Sequence, residues 1–260
     1  MWDADQMEAL RVAYNKSRTG HAPILKGPPE KVWHNLRAAM RAECDDANEA
    51  CMVHSLMKRA NAPMSWSSKP SEWLSSTDIE KVQDNYRKVV PDYHFVGCVP
   101  IDFNETSETG KCLVSTLCKM DVREIAKTGK TMIGIVLNTD PHDQPGEHWI
   151  AAFCDLRPEL ETPYMAYFDS YAYKPEPQVV DLMNAWKEQW DSTRSHRKPM
   201  ELLYNQIRHQ TKDTECGMYC IYFLHCSIFG ISMEARIPDE VMLMMRQFFF
   251  TMPKKRRNSS

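Results

Sequence analysis

The chain has 260 residues, of which 43% are hydrophobic and 26% charged, with a formal net charge of -3. This is enough for one large domain, or a core with a smaller companion, and the apolar share supports a packed interior. The near-balanced charge excludes a general nucleic-acid binder, and the lack of any apolar run of roughly 18 residues excludes a membrane-spanning helix.

Residues 1–11 are charged and lack the apolar stretch of a secretory signal. Nine cysteines, an odd number, are scattered without the spacing of a disulfide framework. The expectation is a soluble protein of a reducing compartment, off the membrane, with its thiols mostly free. Residues 1–65 predict an N-terminal helical arm. Met7, Leu10, Val12 and Tyr14 share one amphipathic stretch. Pro28-Pro29 opens a second, with Val32, Trp33, Leu36, Ala39 and Met40 at helical spacing. Residues 51–57 form a third apolar stretch. Residues 60–71, with two prolines and four serines, read as a linker or boundary loop.

The core is expected over residues 66–253. Thr77 and Glu80 have the spacing of a capping box, and Ile79, Val82, Tyr86 and Val89 follow on one helix face. Residues 95–101 read as extended and 112–117 as a helix. Residues 131–137 are a continuous apolar run, predicting a strand buried on both faces. Residues 149–154 and 164–168 are the next strands, 179–190 an amphipathic helix and 200–207 a further strand. Residues 216–229 are apolar nearly all round, a buried helix stopping at Gly230. Residues 238–250 are the last helix, with Val241, Met244, Met245, Phe248 and Phe249 inward. Residues 254–260 form a tail with Lys254-Lys255-Arg256-Arg257, a weak nucleic-acid contact at most and otherwise a solvated terminus. Strands interleaved with helices give an α+β core: a central mixed sheet flanked by helices.

The chemistry concentrates at Cys216, which opens the buried helix. A helix start presents unpaired N–H groups and partial positive charge, and both favour thiolate, the nucleophilic form. His148 begins one strand and Asp169 ends the next. A hairpin centred near Glu159 sets His148 opposite Asp169 or Ser170, within reach of an imidazole–carboxylate bond. The acid would fix the tautomer and stabilise the imidazolium. Asp155 and Asp143 are the alternative acids, one at the far end of the strand and one in a loop. Gln210, six residues before Cys216, is the candidate oxyanion donor beside the Cys216 N–H. Gln206 and His209 compete with it. Each residue alone has a bland reading: a structural histidine, a turn aspartate, a packing cysteine, a loop glutamine. Their joint order is what carries the assignment. Cys44, Cys51 and His54 offer a loose metal-ligand spacing without a fourth ligand, so no metal site is predicted. Cys220, one turn after Cys216, reads as core rather than redox partner.

Gly146-Glu147-His148-Trp149, then Tyr167-Phe168-Asp169-Ser170, then Gln210 and Glu215-Cys216-Gly217-Met218-Tyr219 resemble the SUMO-protease/adenovirus-protease superfamily of cysteine peptidases. Trp73-Leu74-Ser75 resembles the start of its catalytic core. Residues 136–140 and the helical arm look most like polyprotein-processing proteases of large DNA viruses, the African swine fever virus group. The resemblance implies Cys216 as nucleophile, His148 as base then acid, Asp169 orienting it and Gln210 holding the oxyanion. It further implies Trp149 flanking a narrow groove that accepts Gly-Gly-Xaa sites of viral precursors. No cofactor is expected, the partner being a protein substrate. The implied location is host cytoplasm, viral factory and virion. A SUMO-type or ubiquitin-type isopeptidase, or an idle binding module, are the other readings.

Overall fold

The computed structural model describes residues 4–18, 20–44, 49–192 and 198–253. In chain order the elements are α1 (Ala4–Ser17), α2 (Pro29–Met40), α3 (Glu49–Leu56), β1 (Ala60–Asn61), a 3-10 turn (Met64–Ser67), α4 (Ser76–Val89) and β2 (Tyr93–Pro100). Then come α5 (Ser115–Cys118), α6 (Val122–Lys127), β3 (Met132–Asn138), β4 (Trp149–Asp155), β5 (Tyr164–Phe168) and α7 (Pro177–Asp191). The chain ends with β6 (Glu201–Tyr204), α8 (Cys216–Phe229), α9 (Asp239–Phe249) and β7 (Phe250–Thr251). The basic tail lies outside the described residues.

Strands β2 to β6 form one sheet in sequence order, mixed in direction. β2 runs parallel to β3, β3 and β4 are antiparallel, β4 and β5 are antiparallel, and β6 is parallel to β5. The period-two alternation of strand side chains explains the layers. Met132, Val136, Ala151, Phe153 and Phe168 face the cluster that holds α4, α8 and the arm. Ile133, Ile135, Leu137, Ile150, Ala152, Met165 and Tyr167 face the opposite cluster, under α6 and α7. The apolar run 131–137 is therefore the strand buried on both faces that its composition predicts.

Several local expectations shift. The capping box uses Ser75 and Asp78, two residues before Thr77–Glu80: the Ser75 Oγ accepts from the Asp78 N–H and Asp78 accepts from the Ser75 N–H at 3.1 Å. The helix expected over 112–117 shrinks to the single turn of α5. In α9 the buried face is Asp239, Met242, Arg246 and Phe249, whereas Met244 is exposed. That phase is set by two charged partners, described below. Residues 60–71 are not a free linker. β1 pairs with β7, and Trp66 is buried against Phe250, ring centroids 5.0 Å apart. Met7, Leu10, Tyr14, Val32, Leu36, Met40 and Val53 belong to the same apolar cluster as helix α8.

The thiol expectation holds for most of the cysteines, with four exceptions. Cys44–Cys51 and Cys112–Cys118 are disulfides, and five cysteines are free. Both pairs close short loops, so local chain geometry brings the sulfurs together without any framework pattern. His54 turns away from the first pair: its Nε2 faces the Phe248 carbonyl at 2.7 Å and its ring stacks on Phe248 at 3.4 Å. The loose Cys44/Cys51/His54 set is thus spent on a disulfide and a packing contact.

Candidate active site

Cys216 is buried at the first position of α8. The helix is apolar nearly all round and is held between the sheet and α4, and it ends at Gly230 in the left-handed region, φ 64°. The next position, Gly217, is tightly packed. A Cβ on Gly217 would meet Leu74 Cβ at 3.0 Å and Trp149 Cδ1 at 3.3 Å. The Cys-Gly step therefore lets the nucleophile's helix press against the segment that carries Trp73 and Leu74.

His148 precedes β4, its carbonyl held by the Thr139 N–H at 2.9 Å. Its Nε2 lies 3.0 Å from Asp169 Oδ1. A carboxylate only accepts, so Nε2 carries the hydrogen. The Cys216 thiol lies close enough to the ring to act on its titration, and with Nε2 turned to Asp169 the ring's other nitrogen, Nδ1, is left for the thiol. Burial pulls the His148 pKa down, but the bonds to Asp169 and Cys216 and their charges outweigh it and raise it to about 9. The hairpin register differs slightly from the sequence expectation. The last pair is Ala151 with Phe168, which places Tyr171 rather than Asp169 across from His148. Asp169 still reaches the ring because the ladder stops there and the chain turns. Its Oδ1 accepts the Tyr171 N–H at 2.7 Å, and its carbonyl accepts Asn205 Nδ2 at 2.7 Å. The rival acids are elsewhere: Asp155 is bound by Arg157, and Asp143 is exposed.

Gln210 is fully buried. Its Oε1 accepts the Ser170 hydroxyl at 2.6 Å, and its Nε2 donates to the Lys212 carbonyl. Asp239, at the start of α9, holds this loop: it accepts the Thr211 N–H at 3.0 Å, the Lys212 N–H at 3.2 Å and the Tyr219 hydroxyl at 3.1 Å. Burial pushes the Asp239 pKa up, but the Thr211, Tyr219 and Lys212 donors together bring it below the usual range. Of the rival residues, Gln206 lines a separate cleft, and His209 Nδ1 accepts the Ile237 N–H at 3.1 Å.

Two clefts adjoin the site, one against His148 and the other against Trp149. One, of about 550 Å³, is lined by Trp73, His148, Asp169, Tyr171, Tyr173 and Asp213. The other, of about 570 Å³, is lined by Trp73, Leu74, Cys98, Asn138, Gly146 and Trp149. Trp73 lines both and is 43% exposed. Trp149 is half-buried, its indole N–H donating to the Leu74 carbonyl at 2.9 Å. Sequence reading took Trp73 only as the start of the core and passed over Tyr171, whose ring lies 5.1 Å from His148. The available signal was a large aromatic two residues before a helix cap and another directly after Asp169-Ser170.

Behind Cys216 stands a buried ion pair. Glu215, the N-cap of α8, accepts from Arg246 Nε at 3.1 Å and from its Nη2 at 3.2 Å. The guanidinium lies over Trp66, 4.4 Å from the ring centroid. This contact turns Arg246 inward and fixes the phase of α9.

Residues 121–259 match the family described as the Ulp1 protease family, C-terminal catalytic domain. The chain belongs to the Ulp1 protease family. It is 27% identical over 157 residues, 60% of its length, to a putative thiol protease of Acanthamoeba polyphaga mimivirus. It is 34% identical over 121 residues, 45% of its length, to a cysteine protease of African swine fever virus. These matches span about half of each relative, 48% and 43%. Its fold matches the crystal structure of an African swine fever virus protease with TM-score 0.62 at 19% identity, over 90% of this chain and 93% of that one. This Ulp1-family chain thus shares the α+β architecture, N-terminal helices included, along nearly its whole length.

Proposed function

We propose that the protein is a cysteine endopeptidase that cleaves viral structural precursors at Gly-Gly-Xaa sites during virion maturation. The observation that carries this is the convergence of Cys216, His148 and Asp169: His148 is hydrogen-bonded to Asp169 and has the Cys216 thiol beside its ring. In the reaction, Cys216 passes its proton to His148 Nδ1 and its sulfur attacks the scissile carbonyl. The tetrahedral oxyanion is held by the Cys216 N–H and the Gln210 amide. His148 then protonates the leaving amine as the C–N bond breaks. Water, deprotonated by the same ring, releases the acyl group and restores the thiol. Asp169 holds the imidazole in one tautomer throughout.

Substrate choice follows from the walls. Trp73 borders both clefts and Trp149 the second, and a passage walled by indoles favours residues without Cβ. The relatives from two large DNA viruses support a viral substrate and a location in host cytoplasm, viral factory and virion. Membership of the Ulp1 family supports a second reading, an isopeptidase that removes SUMO-like modifiers. Incubation with Gly-Gly-containing precursor peptides and with SUMO conjugates separates the two. Cleavage of peptides after the second glycine is expected, and cleavage of conjugates alone would overturn the first choice. No cleavage of either, with Cys216 unreactive to iodoacetamide, would leave a binding module.

A further inference from the structure

We infer that Ser170 is a positioning residue for the oxyanion amide, coupling the strand that carries the acid to the loop that carries Gln210. The inference rests on the proposed role of Gln210. Ser170 is buried, and so is Gln210. The serine engages the loop twice. Its carbonyl accepts the N–H groups of His209 and Gln210, each at 2.9 Å. Its hydroxyl donates to Gln210 Oε1 at 2.6 Å. The far end of the carboxamide faces the Lys212 carbonyl, which can only accept. Only one amide orientation satisfies both neighbours: oxygen toward Ser170, nitrogen toward Lys212.

That orientation matters for chemistry. Nε2 has two hydrogens, and Lys212 uses one. The second has no further partner among the described residues and is the donor an oxyanion needs. If the amide flipped, an acceptor would stand in that place and repel the developing charge. Tyr171 strengthens the lock by donating its hydroxyl to the same Lys212 carbonyl at 2.7 Å. Asp169 and Ser170 are adjacent, so one short turn after β5 orients both the base and the oxyanion donor. The sequence motif ending in Asp-Ser then has a reason for its second letter.

The test compares Ser170→Ala, Ser170→Thr and Gln210→Ala in the full chain on a Gly-Gly peptide. Ser170→Ala is expected to lower kcat about tenfold with KM within twofold, because the oxyanion exists only beyond the ground state. Its rate of Cys216 alkylation by iodoacetamide should stay unchanged, since substitution at a saturated carbon forms no carbonyl oxyanion. Affinity for a Gly-Gly aldehyde should fall with kcat, and Ser170→Thr, which keeps the hydroxyl, should restore both. Should Ser170→Ala not fold, Ser170→Cys, near-isosteric with a weak donor, is read in its place. Full kcat in Ser170→Ala, or an equal loss of turnover and alkylation, would overturn the inference. Gln210→Ala is expected to lose 10²–10³ in kcat. If it loses nothing, the oxyanion reading itself fails; if it loses activity while Ser170→Ala does not, only the role of Ser170 fails.

Discussion

The proton between Cys216 and His148 is the most sensitive single feature of the site. His148 is held up to about 9, against an ordinary value near 6.5, by Asp169 and the thiol despite burial. Its charged form is thus favoured in the folded chain. The stability this contributes is fully present below about 6.5 and is lost as pH rises through about 9. Activity should follow the same limb, with kcat/KM falling above pH 9 as the ring loses the proton it must give to the leaving amine. Asp169→Asn removes the charge that holds the ring up, so its alkaline limb should move toward 7 and its turnover should drop by roughly four orders of magnitude, as when a triad acid is neutralised. A pH–rate profile of both proteins checks this, and an unshifted limb in the variant would detach Asp169 from the ring. This level of the molecule was the most legible in the sequence. His148, Asp169 and Cys216 each sit at the end of a strongly patterned element, so element placement alone brings them near one another. The exact partner across the hairpin was not legible, because it depends on where the ladder stops. Ser170 and Gln210 meet through a tight turn and a loop, which have no periodicity to read.

Among the elements, α9 meets α8 through apolar packing and through a buried charge pair at the N-cap of α8. Glu215 and Arg246 are both almost fully buried, with side-chain exposures of 3% and 1%. A buried pair of this kind is weak evidence for net stability, yet removing one partner strands the other charge and costs roughly 3–5 kcal/mol. Arg246→Met should therefore unfold at markedly lower urea, while Glu215→Gln combined with Arg246→Met should recover much of the loss. Equal destabilisation in the double variant would mean that shape, not charge, is what α9 supplies. Gly217→Ala tests the other side of the same helix. Helix propensity gains up to about 1 kcal/mol, but a Cβ 3.0 Å from Leu74 and 3.3 Å from Trp149 requires these neighbours to give way by a few tenths of an ångström. Overpacking of this size costs about 1–3 kcal/mol, and the displaced Trp149 should raise KM for Gly-Gly peptides. Crystal coordinates of the variant with Leu74 and Trp149 unmoved would contradict that. The inward arginine was invisible to periodicity. A sequence pattern ranks Met244 and Met245 above Arg246 for the core, and only the partner 31 residues earlier reverses the order. The same blindness hid the two disulfides, whose cysteines look scattered until the loops close.

At the scale of the whole molecule, the arm and the catalytic unit share one interior. The cluster running from Met7 through Leu36 and Val53 continues into Trp66, Ile79, Met218 and Phe250 without a break. The parallel pair of Ala60–Asn61 with Phe250–Thr251 ties the end of the arm to the chain's last described strand. Arg246 then connects that region to the nucleophile, because it touches Trp66 on one side and Glu215 on the other. Such continuity predicts one cooperative unfolding transition rather than two, with activity and the near-ultraviolet signal of the tryptophans lost together. It also predicts what removal of the arm does. A chain lacking residues 1–58 would expose the apolar faces of Trp66, Ile79 and Phe250 and loosen the cover over Arg246. It should bind a hydrophobic dye, melt at lower temperature and alkylate Cys216 more slowly than the full chain. Calorimetry and iodoacetamide kinetics on both forms measure this directly. A truncated chain with unchanged melting temperature and unchanged alkylation would show that the arm rests on the core without shaping the site, and the path from Trp66 to Cys216 would then carry no function.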